Sequence, residues 1–128
     1  MKKVLLLVED EITHYRLFER NLKRSDWDAE LVWVQFGNRA IEVLEDIDDP
    51  ANTILVLDIN LPDITGIDVL KRIRKDSHLQ DMTVVMVTSS RLKEERDECE
   101  QLGIAHFYEK PVEYMSLVNV LKKLDEAS

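Results

Sequence analysis

An α/β fold on a parallel sheet is the class this sequence predicts, and three observations predict it. Val4–Val8, residues 54–57 and residues 84–87 are unbroken apolar runs, with 104–108 a less pure fourth. Runs without alternation suit strands covered on both faces, as in parallel sheets. Segments of helical spacing lie between the strands, so β and α elements alternate, five of each. Each of the four runs also stops at a residue able to hold a cation or a phosphoryl group: Glu9 with Asp10, Asp58, Thr88, and Glu109 with Lys110. Open parallel sheets bind their ligands beyond the carboxyl ends of the strands, so these four ends form the expected site.

The elements follow in order. After the first strand at 4–8, a helix is predicted over 12–23, with Ile12, Tyr15, Leu17, Phe18 and Leu22 along one stripe. Arg16, Glu19, Arg20 and Lys23 then face water. Residues 31–36 read as the second strand, closed by Gly37 and Asn38, and 39–46 as a helix with Ile41, Val43 and Leu44 inward. A turn cluster at 48–52 leads to the third strand. Beyond Asp58 a loop holds Pro62 and Gly66, then a helix over 67–75 buries Val69, Leu70 and Ile73. The polar stretch 76–82 connects to the fourth strand. Residues 91–102 make a heavily charged helix that Gly103 stops, and 114–124 a last amphipathic helix. Right-handed crossovers put helices on both faces, giving a three-layer α/β/α sandwich with a five-stranded parallel sheet.

With 128 residues, 45% of them apolar, the chain is expected to form one domain over 1–128. Its net charge of −9, from 26 acidic and 17 basic residues, disfavours nucleic acid and anionic lipid as partners. The apolar stretch after Met1, Lys2 and Lys3 is too short for a signal-peptide core, and no later run is long enough to span a bilayer. A cytoplasmic protein is the expectation. Cys99 is the sole cysteine, which rules out an intrachain disulfide and a cysteine-rich metal site.

If the four strands are neighbours, Glu9, Asp10 and Asp58 gather at one place. Clustered carboxylates repel one another unless a cation joins them, so the trio implies a bound metal. All-oxygen ligands favour Mg²⁺ or Mn²⁺, with the main-chain carbonyl of Asn60 as a further candidate ligand. An aspartate beside such a metal can attack phosphorus, and Asp58 is the expected nucleophile. The Thr88 hydroxyl and the Lys110 ammonium would supply a hydrogen bond and a counter-charge to the remaining phosphoryl oxygens.

These residues carry a resemblance. Glu9-Asp10, the Asp58-to-Pro62 segment with Gly66, Thr88, and Lys110-Pro111 together resemble the response-regulator receiver domain along essentially the whole chain, in its stand-alone form. The resemblance implies a flavodoxin-like fold with strand order 2-1-3-4-5, an order taken from the family and not from the pattern. It implies Mg²⁺-dependent transfer of a phosphoryl group from a histidine kinase or phosphotransfer protein to Asp58, then slow hydrolysis. It also implies a switch in which Thr88 moves toward the phosphoryl group and Phe107 turns inward, and it makes Lys110-Pro111 a candidate cis bond. Output is expected on the fourth helix, fifth strand and fifth helix (α4-β5-α5), including Arg91, Lys93, Glu94, Tyr108, Tyr114, Val118 and Lys122. Mixed charge beside apolar residues there suits homodimerisation or kinase docking. Two residues depart from the common pattern: Phe107 has no hydroxyl, and Glu9 is longer than aspartate.

Plainer readings stand beside these. Taken singly, an Asp, Thr or Lys after a strand is a turn or capping residue, and only the joint occurrence overturns that. His14, His78 and His106 lack metal-ligand spacing and read as surface or partly packed residues. Cys99 reads as structural, Trp33 as strand packing, Trp27 as a loop aromatic, and 93–98 as a solvated face. The competing function is a Mg²⁺-dependent phosphatase of haloacid-dehalogenase type. That chemistry needs a general acid two residues after the nucleophile, where this chain has Asn60. A flavodoxin-like cofactor binder is disfavoured by the acids of the first loop.

Overall fold

The computed structural model describes residues 2–127. Its elements are β1 (Val4–Val8), α1 (Ile12–Arg24), β2 (Glu30–Val34), α2 (Gly37–Glu45), β3 (Thr53–Leu57), α3 (Gly66–Lys75), β4 (Thr83–Thr88), α4 (Lys93–Gln101), β5 (His106–Glu109) and α5 (Tyr114–Ala127), with a short 3₁₀ turn at Pro50–Asn52. All strand pairs are parallel and the order is β2-β1-β3-β4-β5.

Alternation along each strand divides the core in two. Leu6, Val8, Leu55, Leu57, Val84 and Met86 point to one face, where they pack with Ala40 and Leu44 of α2, Leu70 and Ile73 of α3, and Cys99 of α4. Leu5, Leu7, Ile54, Val56, Val85 and Val87 point to the other, against Phe18 and Leu22 of α1 and Leu117, Val118 and Leu121 of α5. Each such side chain contributes about 1.5–3 kcal/mol on burial, so a sheet apolar on both faces holds both helical layers.

Several boundaries and faces differ from expectation. On α1, Ile12 and Leu17 are 45% and 40% exposed, because only Tyr15, Phe18 and Leu22 fall on the sheet-facing stripe. β2 ends at Val34, and Gly37 begins a helix where the pattern predicted the turn that closes the strand. The cause is distant in sequence: the Asp63 carboxylate accepts from Gly37 N and Asn38 N, both at 2.8 Å, and so satisfies two free donors of the first turn. β5 starts at His106 instead of Ile104, which instead packs its side chain against the core. Val118, expected at the surface, is fully buried, since α5 meets both the sheet and α1. Gly103 stops α4 as expected, in the left-handed conformation with φ of 78°.

Candidate phosphoryl and metal site

The register of β1, β3 and β4 aligns Val8 with Leu57 and Leu57 with Met86, and β4 aligns Thr88 with Glu109 of β5. The residues that follow these strands therefore meet beyond one edge of the sheet. Glu9, Asp10 and Asp58 bring one carboxylate oxygen each within 4.8 Å of one another. Lys110, the residue after β5, reaches two of them: its Nζ donates to Glu9 Oε1 at 2.5 Å and to Asp58 Oδ2 at 2.9 Å. Glu9 and Asp58 are only 3% and 4% exposed, while Asp10 is open to solvent.

Burial pushes the Glu9 carboxyl above its ordinary range, and the Lys110 ammonium pulls against that shift. Burial also opposes the charge on Lys110, but its bonds to Glu9 and Asp58 outweigh the loss of water and hold its pKa above the usual lysine value. Two buried carboxylates thus share one ammonium, with the exposed Asp10 carboxylate beside them. This hard-oxygen set, with more negative charge than the lysine offsets, fits a small divalent cation.

Local backbone explains why Asp58 is so well fixed. Its Oδ1 accepts from Asn60 N at 3.1 Å, and Gly66 N donates to Ile59 O at 2.8 Å, folding the loop back under the strand end. A Cβ on Gly66 would lie 2.0 Å from the Asp58 carbonyl oxygen, so the loop closes only around a glycine. Asn60 is exposed, lines the pocket, and donates from its side chain to Ser89 Oγ at 3.2 Å. The Lys110-Pro111 bond is cis.

The Thr88 side chain is fully buried, its Oγ1 accepts from Ser90 N at 3.1 Å, and its carbonyl accepts from Lys110 N at 2.8 Å. Phe107 is half-buried against the α2–α4 face with the Arg96 guanidinium 5.1 Å above its ring, while Tyr108 packs on the opposite face. An open pocket of about 440 Å³ lies over the cluster, lined by Asp10, His14, Asp58, Asn60, Ser89 and Lys110 among others.

Two members of this site were read differently from sequence. His14 is a site residue, with Nδ1 3.0 Å from Lys110 Nζ and 3.2 Å from Glu9 Oε1. Its position on the first turn of α1, just past the acidic pair, was the available signal. Trp33 does stack on Tyr15, with centroids 4.1 Å apart, but its Nε1 also donates to the Glu9 carbonyl at 2.7 Å and so braces the acidic loop.

The response regulator receiver domain family matches residues 5–122. This chain belongs to that family. Among similar proteins, the chemotaxis protein CheY1 of Helicobacter pylori is 29% identical over 108 residues, 84% of each chain. The stress response regulator protein 1 of Candida tropicalis is 32% identical over 85% of this chain, which spans only 40% of that protein's length. The phosphorylated cyanobacterial phytochrome response regulator RcpA superposes with a TM-score of 0.81 at 28% identity, covering 98% of this chain and 93% of its own. The Mn²⁺-bound form of response regulator Rcp1 gives 0.80 at 28% identity, covering 97% and 92%. The receiver is a phosphoacceptor module of two-component signalling, of a family that binds a divalent metal. These relatives give no support to the haloacid-dehalogenase phosphatase. Among the described residues, no helix is long and apolar enough to cross a membrane.

Proposed function

We propose that Asp58 is the phosphoacceptor of this receiver, and that residues 1–128 act as one unit in the cytoplasm. The observation that carries this reading is Lys110 Nζ at 2.9 Å from Asp58 Oδ2, in a cluster with two further carboxylates. An Asp58 carboxylate oxygen attacks the phosphorus of a phosphohistidine on a sensor kinase or phosphotransfer protein. The P–O bond forms as the P–N bond breaks, its electron pair returning to the imidazole nitrogen. Lys110 pairs with a phosphoryl oxygen and the Thr88 hydroxyl, free to donate while it accepts from Ser90 N, donates to another. Glu9, Asp10, Asp58 and the Asn60 carbonyl hold Mg²⁺, with Mn²⁺ as a substitute; when bound, the cation offsets the repulsion between carboxylate and phosphoryl group.

The acyl phosphate then hydrolyses slowly, restoring the acid. While it persists, nearly two negative charges sit where Thr88 and Lys110 meet them, which biases the loop after β4 and the packing of Phe107. The surface of α4, β5 and α5, with Arg91, Lys93, Glu94, Tyr108, Tyr114 and Lys122, carries that change to a partner or to a second copy. Leu92, 60% exposed at the start of α4, adds apolar area to it.

The test is mass spectrometry after incubation with acetyl phosphate and Mg²⁺. One phosphoryl group is expected on the wild type and none on Asp58→Asn or in the presence of chelator. A labelled Asp58→Asn chain would remove Asp58 from this role. Sedimentation of the labelled form decides the homodimer, which an unchanged monomer at high concentration excludes.

A further inference from the structure

The Lys110 ammonium has three N–H donors and no acceptor, and three acceptors meet it. They are Glu9 Oε1 at 2.5 Å, Asp58 Oδ2 at 2.9 Å and His14 Nδ1 at 3.0 Å. The phosphoacceptor chemistry uses the first two and leaves His14 without a part. An ammonium only donates, so its bond to Nδ1 requires a lone pair on that nitrogen and the imidazole proton on Nε2. The same nitrogen lies 3.2 Å from Glu9 Oε1 and 3.2 Å from Glu11 Oε2. With a lone pair there, those are close approaches without a hydrogen bond, and the ammonium offsets the crowding of acceptors.

Bonds from an ammonium to a carboxylate are the stronger kind, and its bond to a neutral imidazole the weaker. When a phosphoryl oxygen arrives as a new charged acceptor, the neutral one is surrendered. We propose that His14 is a positioning residue. It completes the hydrogen-bond set of Lys110 and keeps the ammonium beside Asp58 until a phosphoryl oxygen takes its place. This rests on the reading of Lys110 as the cation that pairs with the phosphoryl group. Without an acceptor at position 14, the ammonium is held by the two carboxylates alone and its third proton has no protein partner, so it is aimed less well at an incoming donor.

The test uses the full chain and two variants, His14→Phe, which keeps bulk without an acceptor, and His14→Gln, which restores one. Labelling by acetyl phosphate with Mg²⁺ should show a half-saturating donor concentration raised about three- to tenfold in His14→Phe, with the maximal rate within about twofold and most of the loss recovered in His14→Gln. Imidazole ¹⁵N spectra, recorded without donor, should place the wild-type proton on Nε2 and show the Nδ1 resonance displaced by Lys110→Met. A proton on Nδ1, a resonance indifferent to Lys110→Met, or an unchanged half-saturation in His14→Phe overturns the proposal alone. A wild-type chain that takes no label overturns the phosphoacceptor reading and this proposal with it.

Discussion

Lys110 and Arg74 are cations set into opposite ends of the same sheet, and their partners differ in kind. Lys110, at the carboxyl end, is held by Glu9, Asp58 and His14. Arg74, at the end of α3, donates to four main-chain carbonyls: Leu102 at 2.7 Å, Gly103 at 2.6 Å, Gln80 at 2.9 Å and Met82 at 2.8 Å. Burial lowers the Arg74 pKa, yet a guanidinium stays charged. Backbone dipoles neither titrate nor leave, so Arg74 fastens the stretch before β4 to the turn after α4. Carboxylates and an imidazole can each trade their partner for a metal or a phosphoryl oxygen. A planar fork satisfied by neutral groups makes a fixed joint, and a compact ammonium among acids makes an exchangeable one.

Removing each head group in turn breaks this contrast most sharply. Lys110→Met is expected to lower the labelling rate by about 10²-fold, the effect of losing a preorganised charge at a reacting group. Its stability loss should be partly repaired by added Mg²⁺, because a second cation can meet the same carboxylates. Arg74→Met should do the reverse: labelling by acetyl phosphate stays near wild type at a temperature where the chain is folded, while urea unfolding shows a loss of about 2–3 kcal/mol that Mg²⁺ leaves unrepaired. Equal responses to Mg²⁺ in the two variants would erase the distinction.

A smaller effect comes from beneath one partner of Lys110. In Gly66→Ala the new Cβ cannot share space with the Asp58 carbonyl oxygen 2.0 Å away, so the strand end must shift. The expected cost is about 1–3 kcal/mol, with labelling slowed about tenfold as Asp58 moves away from Lys110. If Gly66→Ala labels and unfolds like wild type, the loop has room that this packing denies it.

The exchangeable end was far more legible in the sequence than the fixed one. Glu9, Asp58 and Thr88 directly follow apolar runs, and Asp10 and Lys110 come one residue after a strand-end glutamate, so a parallel sheet alone brings them to one edge. The strands were legible for the same reason, being buried on both faces. His14 was missed because its contact requires the start of α1 to lie over the strand ends, which no local pattern encodes. Arg74 and Asp63 were missed because their partners are backbone groups 6 to 29 and 25 to 26 residues away, and any sequence supplies such groups. Val118 was misplaced by carrying the family's output surface onto α5, when that residue lies in the core shared with α1.

The contrast also extends to alkaline pH, where the effects are smallest and their order is informative. Burial, reinforced by Glu95, Glu98 and Glu100, pushes the Cys99 thiol up to about 11 from an ordinary 9.0. Burial likewise pushes Tyr114 up to about 12 from 10.0, with Lys110 opposing and Glu9 and Asp58 assisting. In both cases the unfolded chain loses its proton first. The stability each group lends is therefore whole below its ordinary value and declines as pH climbs toward its folded one. Lys110, raised above 10.5 by its acids, likewise lends stability that is whole below 10.5 and is lost as pH rises through its higher folded value. Arg74 keeps its proton throughout. Urea midpoints taken from pH 8 upward should thus fall first through Cys99, then Tyr114, then Lys110. Cys99→Ala should flatten the earliest part of that fall, whatever constant offset its small cavity adds. Lys110→Met should flatten the last part and Arg74→Met neither, so a limb that Arg74→Met reshapes would show that both cations titrate and that the fixed joint is no such thing.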